Sequence, residues 1–164
     1  MECNAARPAL RVLSDPDGSL NAADALGRID RFEPTRAPAG NLGPRRDVVW
    51  LHLPISVADG DGRWTLDIDY PALNDVQVYL VHHGQVRTLA RLGSAQPFAQ
   101  RPLPTRSHAL NLPLQPGQDY QLLLRVQTAS AMVLPITLNK PEALQTRESH
   151  TLLSQGLMLG VALS

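Results

Sequence analysis

Residues 63–70, RWTLDIDY, alternate strictly between apolar and polar side chains. Trp64, Leu66, Ile68 and Tyr70 would lie on one side of an extended chain, with the polar residues on the other. A period of two with one charged side is typical of a half-buried strand in an antiparallel sheet. The segment therefore predicts a β-protein.

Similar patterns lie on both sides of this segment. Residues 48–55 precede it across the turn-forming sequence Asp59-Gly60-Asp61-Gly62, which predicts a hairpin of the two strands. Residues 76–81 and 86–90 flank a turn that contains Gly84 and predict a second hairpin. Three more strands are predicted over residues 108–114, 120–127 and 132–138.

The rest of the chain is poor in helix signals and rich in turn formers. Its 14 prolines and 11 glycines fall between the apolar runs, as in proteins of short strands joined by turns. Only residues 20–29, with Asn21 as a possible N-cap, predict a short helical turn. We predict an all-β fold, an antiparallel β-sandwich with a short N-terminal helical turn.

Composition limits the function classes. The 164 residues suit one domain, and the 15 basic and 15 acidic side chains cancel. A chain without net positive charge lacks the electrostatic attraction that nucleic acids require, so we predict no nucleic-acid partner. Cys3, the one cysteine, cannot form an internal disulfide, so the redox compartment stays open.

We predict three segments: a disordered start over 1–9, the sandwich over 10–140 and a different segment over 141–164. The start lacks the pattern of a secretory signal peptide. The apolar, uncharged run 152–163 is too short to cross a bilayer, which takes about 20 residues. It is either a terminal helix packed on the domain or the beginning of a transmembrane helix.

Residues for catalysis are scarce. No G-x-S-x-G motif is present, and the five histidines lack the spacing of a zinc site. We predict no catalytic residues, no metal and no cofactor. His82 and His83 are interpreted as solvated turn residues that point apart, and Asp67 and Asp69 as solvent-facing strand residues.

Six residues are candidates for binding a ligand, and five of them are chosen for their position or residue type. Arg125 and Gln127 lie on the polar side of an apolar strand, where a guanidinium could bind a carboxylate or sugar hydroxyls, or pair with a neighbouring acid. Arg101 lies in a proline-rich loop that could rim a pocket or simply cross between sheets. Trp50 and Tyr79 could stack on a sugar or belong to the core.

A series of landmarks follows in an order that resembles the type-two extracellular domain of bacterial seven-transmembrane receptors with diverse intracellular signalling modules. They are residues 15–20, 23–26, 32–34, 41–43, 49–51, 64–76, 92–93, 98–102, 120–127 and 134–135. The resemblance implies a periplasmic jelly-roll sandwich, similar to carbohydrate-binding modules, in an inner-membrane protein. It also implies that residues 141–164 are a juxtamembrane linker and the start of the first transmembrane helix.

The resemblance implies a receptor whose output is commonly a histidine kinase or a diguanylate cyclase, neither of which is contained in this chain, so we expect no enzyme activity. The family motif usually reads Trp-Leu-Arg where this chain has Trp50-Leu51-His52. His52, the sixth candidate, would make that position sensitive to pH.

We therefore predict a periplasmic sensor domain that binds a small molecule, a carbohydrate or a carboxylate, and that could form a homodimer. A carbohydrate-binding accessory module and a protein-interaction domain without a small ligand are the alternatives. The sequence leaves open the ligand, the output module, the sign of signalling and the oligomeric state.

Overall fold

The computed structural model describes residues 10–35, 41–56, 63–97, 102–103 and 107–139. The predictions for residues 1–9 and 141–164 lie outside these ranges. In chain order the described elements are β1 (Arg11–Asp15), α1 (Ala22–Leu26), the 3-10 turn η1 (Ile29–Arg31), β2 (Glu33–Pro34), β3 (Asn41–Pro44), β4 (Val48–Ser56), β5 (Arg63–Ile68), β6 (Asp75–His82), β7 (Gln85–Leu92), β8 (His108–Pro113), β9 (Asp119–Gln127), β10 (Ala131–Val133) and β11 (Ile136–Asn139).

The strands form a larger and a smaller sheet, together with a two-stranded ribbon. The larger sheet has the order β2-β1-β4-β9-β6-β7, the smaller β11-β5-β8, and the ribbon pairs β10 with β3. Every described pairing is antiparallel.

The main core combines side chains from both sheets. Leu51 of β4 and Leu124 of β9 belong to the same buried cluster as Leu66 of β5 and Leu112 of β8. One face of each sheet therefore covers the other, which confirms the predicted antiparallel β-sandwich. Asn21 caps α1 as predicted, although the helix spans only Ala22–Leu26.

A second apolar cluster lies on the outer face of the larger sheet. Phe32, Trp50 and Leu123 are fully buried in it, together with Ala25 of α1. The segment from β1 to β2 therefore covers part of this face, and the larger sheet is buried on both sides there. This explains why β9 carries three consecutive leucines in place of a strict alternation.

Strand positions are predicted better than strand partners. The hairpin of β6 and β7 is confirmed. The predicted hairpin of β4 and β5 is wrong. β4 pairs with β1 and β9, whereas β5 pairs with β8 and β11. Alternation reports which way side chains point, and it contains no information on the neighbouring strand.

The predicted strand 132–138 is divided in two. Leu134 and Pro135 separate β10 from β11, and the two strands pair with different partners. Proline has no backbone N–H to donate to a ladder, so the strand ends there.

Two polar assignments are corrected. Asp69 is exposed as expected, but Asp67 is only 1% exposed and accepts a hydrogen bond from the Ser107 hydroxyl. His82 and His83 do not point apart, since their ring centroids lie 3.9 Å from each other and the His82 ring also stacks on Tyr120. His83 has a positive φ of 51°, in the left-handed region.

Candidate ligand-binding face

The outer face of the larger sheet brings the predicted residues together. Leu51, Leu124 and Val78 are in register on β4, β9 and β6, and all three are fully buried in the main core. The alternate residues of these strands therefore point to the outer face. Five of the six candidates are among them: Trp50, His52, Tyr79, Arg125 and Gln127.

The remaining candidate, Arg101, lies outside the described residues. Whether any of the six contacts a ligand stays a prediction. That the other five share one face of the larger sheet is a result that the sequence did not contain.

The strand register places Arg125 at the centre of one row. Trp50 of β4 is directly opposite it on one side and Gln77 of β6 on the other. Leu13 and Arg91 extend the row across β1 and β7. Directly opposite residues have Cβ atoms within about 5.5 Å, so Trp50 and Gln77 are the immediate cross-strand neighbours of Arg125.

Trp50 supports this face from below. It has no exposed surface, it stacks on Tyr79 with ring centroids 5.8 Å apart, and its Nε1 donates to Asp15 Oδ2 at 3.3 Å. A side chain in this environment has no uncovered ring face for a sugar. Tyr79 is half-buried and belongs to the same stack.

The loop after β1 lies over Arg125. Asp15 accepts hydrogen bonds from the backbone N–H groups of Ser19 and Leu20, at 3.3 and 3.1 Å, which holds the loop closed. Gly18 has a φ of 63°, and a Cβ atom at this position would lie 3.4 Å from Arg125 Nη2. The backbone therefore approaches the guanidinium closely, at a position where glycine is favoured.

Arg125 is partly buried and has no hydrogen-bond or salt-bridge partner within the part of the chain that the structure describes. Its cross-strand neighbours are an indole and an amide. The alternative in which it pairs with an acid of a neighbouring strand is therefore not realised among the described residues.

A chain of hydrogen bonds runs along the β6 side of Arg125. The Tyr79 hydroxyl donates to Gln77 Oε1 at 2.6 Å, and Gln77 Nε2 donates to Asp75 Oδ2 at 3.4 Å. Asp75 in turn accepts from Arg91 Nε at 2.8 Å and Nη2 at 3.2 Å. These contacts raise the pKa of Arg91 through the hydrogen bond and charge of Asp75.

His52 lies deeper, beneath the segment from β1 to β2. It is 6% exposed, its Nε2 lies 2.7 Å from Gln121 Oε1, and its ring makes a T-shaped contact with Phe32 at a centroid distance of 5.8 Å. Among the described residues, its Nδ1 has no partner. His52 therefore forms part of the packed support and not of the exposed surface.

Gln77, Gly18 and the Asp75–Arg91 pair also belong to this face and were not among the predicted site residues. Gln77 shares the polar side of β6 with Tyr79, and that alternation is a signal that could have included it. Gly18 reaches the site only through the path of the loop, and no local pattern indicates such a contact.

The described residues hold no group of three His, Cys, Asp or Glu side chains that could bind a metal ion. None of the described helices has the length and hydrophobicity of a membrane span.

One comparison with solved structures gives a carbohydrate-binding module of the beta-sandwich superfamily, with 14% identity and a TM-score of 0.34. The alignment covers 84% of this chain and 54% of that one, so the chain spans about half the length of the structure it matches. Among curated proteins there is no match.

The fold and the face define an antiparallel β-sandwich whose larger sheet presents a partly buried polar surface. The chain belongs to the family described as 7TMR-DISM extracellular 2, whose model matches residues 7–140. This result confirms the resemblance found in the sequence. It identifies the chain as an extracellular sensor domain of a receptor family.

Proposed function

We propose that the chain is the periplasmic ligand-sensing domain of a membrane-bound signalling receptor. Family membership supports the receptor role, and Arg125 supports the sensing role. A partly buried guanidinium without a described partner, on the same face as the other candidates, is the observation on which small-molecule binding rests.

The ligand would bind where the loop after β1 meets β9 and β6. Arg125 and Gln127 would contact it, with Tyr79 at one side and Trp50 beneath. Arg101 stays a proposed ligand contact and lies outside the described residues. His52 would act indirectly, through the packing of Phe32 and β1.

Signalling would follow from a difference in ligand affinity between two conformations of the domain. A ligand held by β9 and the loop after β1 contacts two parts of the sandwich that are far apart in sequence. We propose that it stabilises one arrangement of these parts, and that residues 139–150 pass the change to membrane helices. The output would be a cytoplasmic module such as a histidine kinase or a diguanylate cyclase.

A thermal-shift screen of the purified chain tests the sensing role. Monosaccharides, short glycans, amino acids and small carboxylates are added separately, because a ligand at a hundredfold its Kd stabilises the fold by about 2.7 kcal/mol. We expect a rise in Tm with one class, a loss of that rise in Arg125→Gln, and its retention in Arg87→Gln, which changes an exposed arginine of β7.

The proposal is overturned if no class raises Tm while the domain is folded and forms a dimer whose amount depends on concentration. That result would favour a receptor controlled by protein contacts.

A further inference from the structure

Arg125 differs from the other arginines whose side chains the structure describes. Three of these are partly buried: Arg11, Arg45 and Arg125. Arg11 donates to the Phe32 carbonyl at 2.6 Å and Arg45 binds both oxygens of Asp47. Arg125 alone of the three has no acceptor among the described residues, although removing a charge from water is costly unless it is paired.

Two carboxylates of this face, Asp15 and Asp75, are already bound to other groups. Asp15 accepts from the Trp50 indole and from two backbone N–H groups of its own loop. Asp75 uses both oxygens on Arg91. No described carboxylate forms a hydrogen bond or salt bridge with Arg125, so an anion in contact with its guanidinium would come from outside the described residues.

The surroundings of Arg125 suit an anion with one charge and two acceptor atoms. A guanidinium donates two parallel N–H groups that match the two oxygens of a carboxylate. Gln77 lies directly opposite Arg125. Because the Tyr79 hydroxyl donates to Gln77 Oε1, the hydrogens of Gln77 Nε2 point away from that hydroxyl. The contact of Nε2 with Asp75 is long, 3.4 Å, and uses one of its two hydrogens.

The charge balance argues against phosphate. Arg125 supplies one positive charge that no described carboxylate contacts, and the carboxylates of Asp15 and Asp75 belong to the same face. A dianion would be repelled by these carboxylates and would lack a second cation, because Arg91 is already paired. A monocarboxylate matches the single charge.

From these observations we infer that the ligand of this face is a small molecule with one carboxylate, which Arg125 binds through its guanidinium and Gln77 through its amide. This inference rests on the proposed sensing function and specifies its ligand class. The loop at Gly18 passes close to the guanidinium, since a Cβ at Gly18 would lie 3.4 Å from Arg125 Nη2.

The experiment compares carboxylates with neutral molecules of the same shape. D-Glucuronate is paired with D-glucose, lactate with lactamide, and inorganic phosphate is a separate probe. Binding to the whole chain is measured by calorimetry and thermal shift. The variants are Arg125→Gln, Arg125→Lys, which keeps the charge without the planar fork, and Arg87→Gln as the matched control.

We expect at least one carboxylate to bind at least tenfold more tightly than its neutral partner. Arg125→Gln should remove this preference, Arg125→Lys should weaken it in part, and Arg87→Gln should leave it unchanged. If Arg125→Gln fails to fold, the pH dependence of carboxylate binding to the original chain provides the test. Affinity should then fall as the probe itself becomes protonated.

The two proposals fail in different ways. Equal binding of a carboxylate and its neutral partner, tighter binding of phosphate, or an undiminished preference in Arg125→Gln would overturn the carboxylate inference and leave the sensing function in place. Absence of binding by every probe, and by every class of the wider screen, would overturn both.

Discussion

At the scale of single residues, Asp47 is the acid whose environment most clearly changes its chemistry. Its carboxylate accepts from Arg45 Nε at 2.9 Å, Arg45 Nη2 at 2.6 Å and Ser14 Oγ at 2.5 Å. These hydrogen bonds, mainly those from Arg45, lower its pKa from 3.8 to about 2. The ionised form is therefore favoured in the folded protein.

The sign of the pH effect follows from that direction. Because the pKa of folded Asp47 is lower than its unfolded value, its contribution is complete above about pH 4 and is lost as pH falls through about 2. We expect Asp47→Asn to lower the unfolding free energy by about 1 kcal/mol at pH 7, since solvent screens this partly exposed pair. Urea unfolding between pH 7 and pH 2 measures the difference.

The difference between Asp47→Asn and the original chain should shrink as the pH falls from 4 to 2. Asp69→Asn, at an exposed position of the same chain, is the control and should show no such trend. A difference independent of pH would contradict the assignment of this stability to the ionised carboxylate.

Two glycines with positive φ provide a matched pair at the same scale. Gly93 has a φ of 123°, and a Cβ there would collide with the carbonyl group of Asn74, whereas a Cβ at Gly84, with a φ of 75°, meets nothing within 4 Å. We expect Gly84→Ala to cost about 1 kcal/mol from backbone strain alone, and Gly93→Ala to cost about 3 kcal/mol or more. Similar costs in urea unfolding would show that the contact at Asn74 relaxes.

At the scale of elements, helix α1 is too short to be stable by itself and depends on its cap and its packing. Asn21 Oδ1 accepts from Asp24 N at 2.8 Å, and Asp24 Oδ2 accepts from Asn21 N at 3.1 Å. We expect Asn21→Ala to lower the unfolding free energy by about 1 kcal/mol and Asn21→Ser to retain most of it. The denaturant midpoints of the two variants measure this difference. An equal loss of unfolding free energy in both variants would exclude a capping role for Asn21.

The larger sheet is the element that creates the candidate face. β9 is its fourth strand and lies between β4 and β6. Both of these strands precede β9 in the chain by more than thirty residues. The side chains of three distant segments therefore meet only because β9 pairs with both neighbours.

At the scale of the whole molecule, the described members of both apolar clusters lie between residues 10 and 138, and the sequence resemblance assigns residues 141–164 to a linker and the start of a membrane helix. We therefore expect a chain ending at residue 140 to unfold with a free energy within about 0.5 kcal/mol of the full chain, as for changes at a surface. Circular dichroism during urea unfolding of both chains makes the comparison. A clearly larger loss would mean that residues 141–164 pack on the sandwich and would contradict their assignment as a linker.

What the sequence determined by itself is local. Alternation along residues 120–127 assigns Leu122, Leu124 and Val126 to the core and Arg125 and Gln127 to the other side, because successive side chains of a strand point to opposite faces. The cap of α1 and the hairpin of β6 and β7 follow from short-range patterns in the same way.

What only the tertiary structure decided is which distant segments meet. β4 pairs with β9 and not with β5, so that Arg125 lies opposite both Trp50 and Gln77 and beneath Gly18. Asp67 is buried although its alternation predicts a solvent face. Strand pairing and burial are properties of the assembled sheets, to which every segment contributes, and a single segment contains no record of its partners.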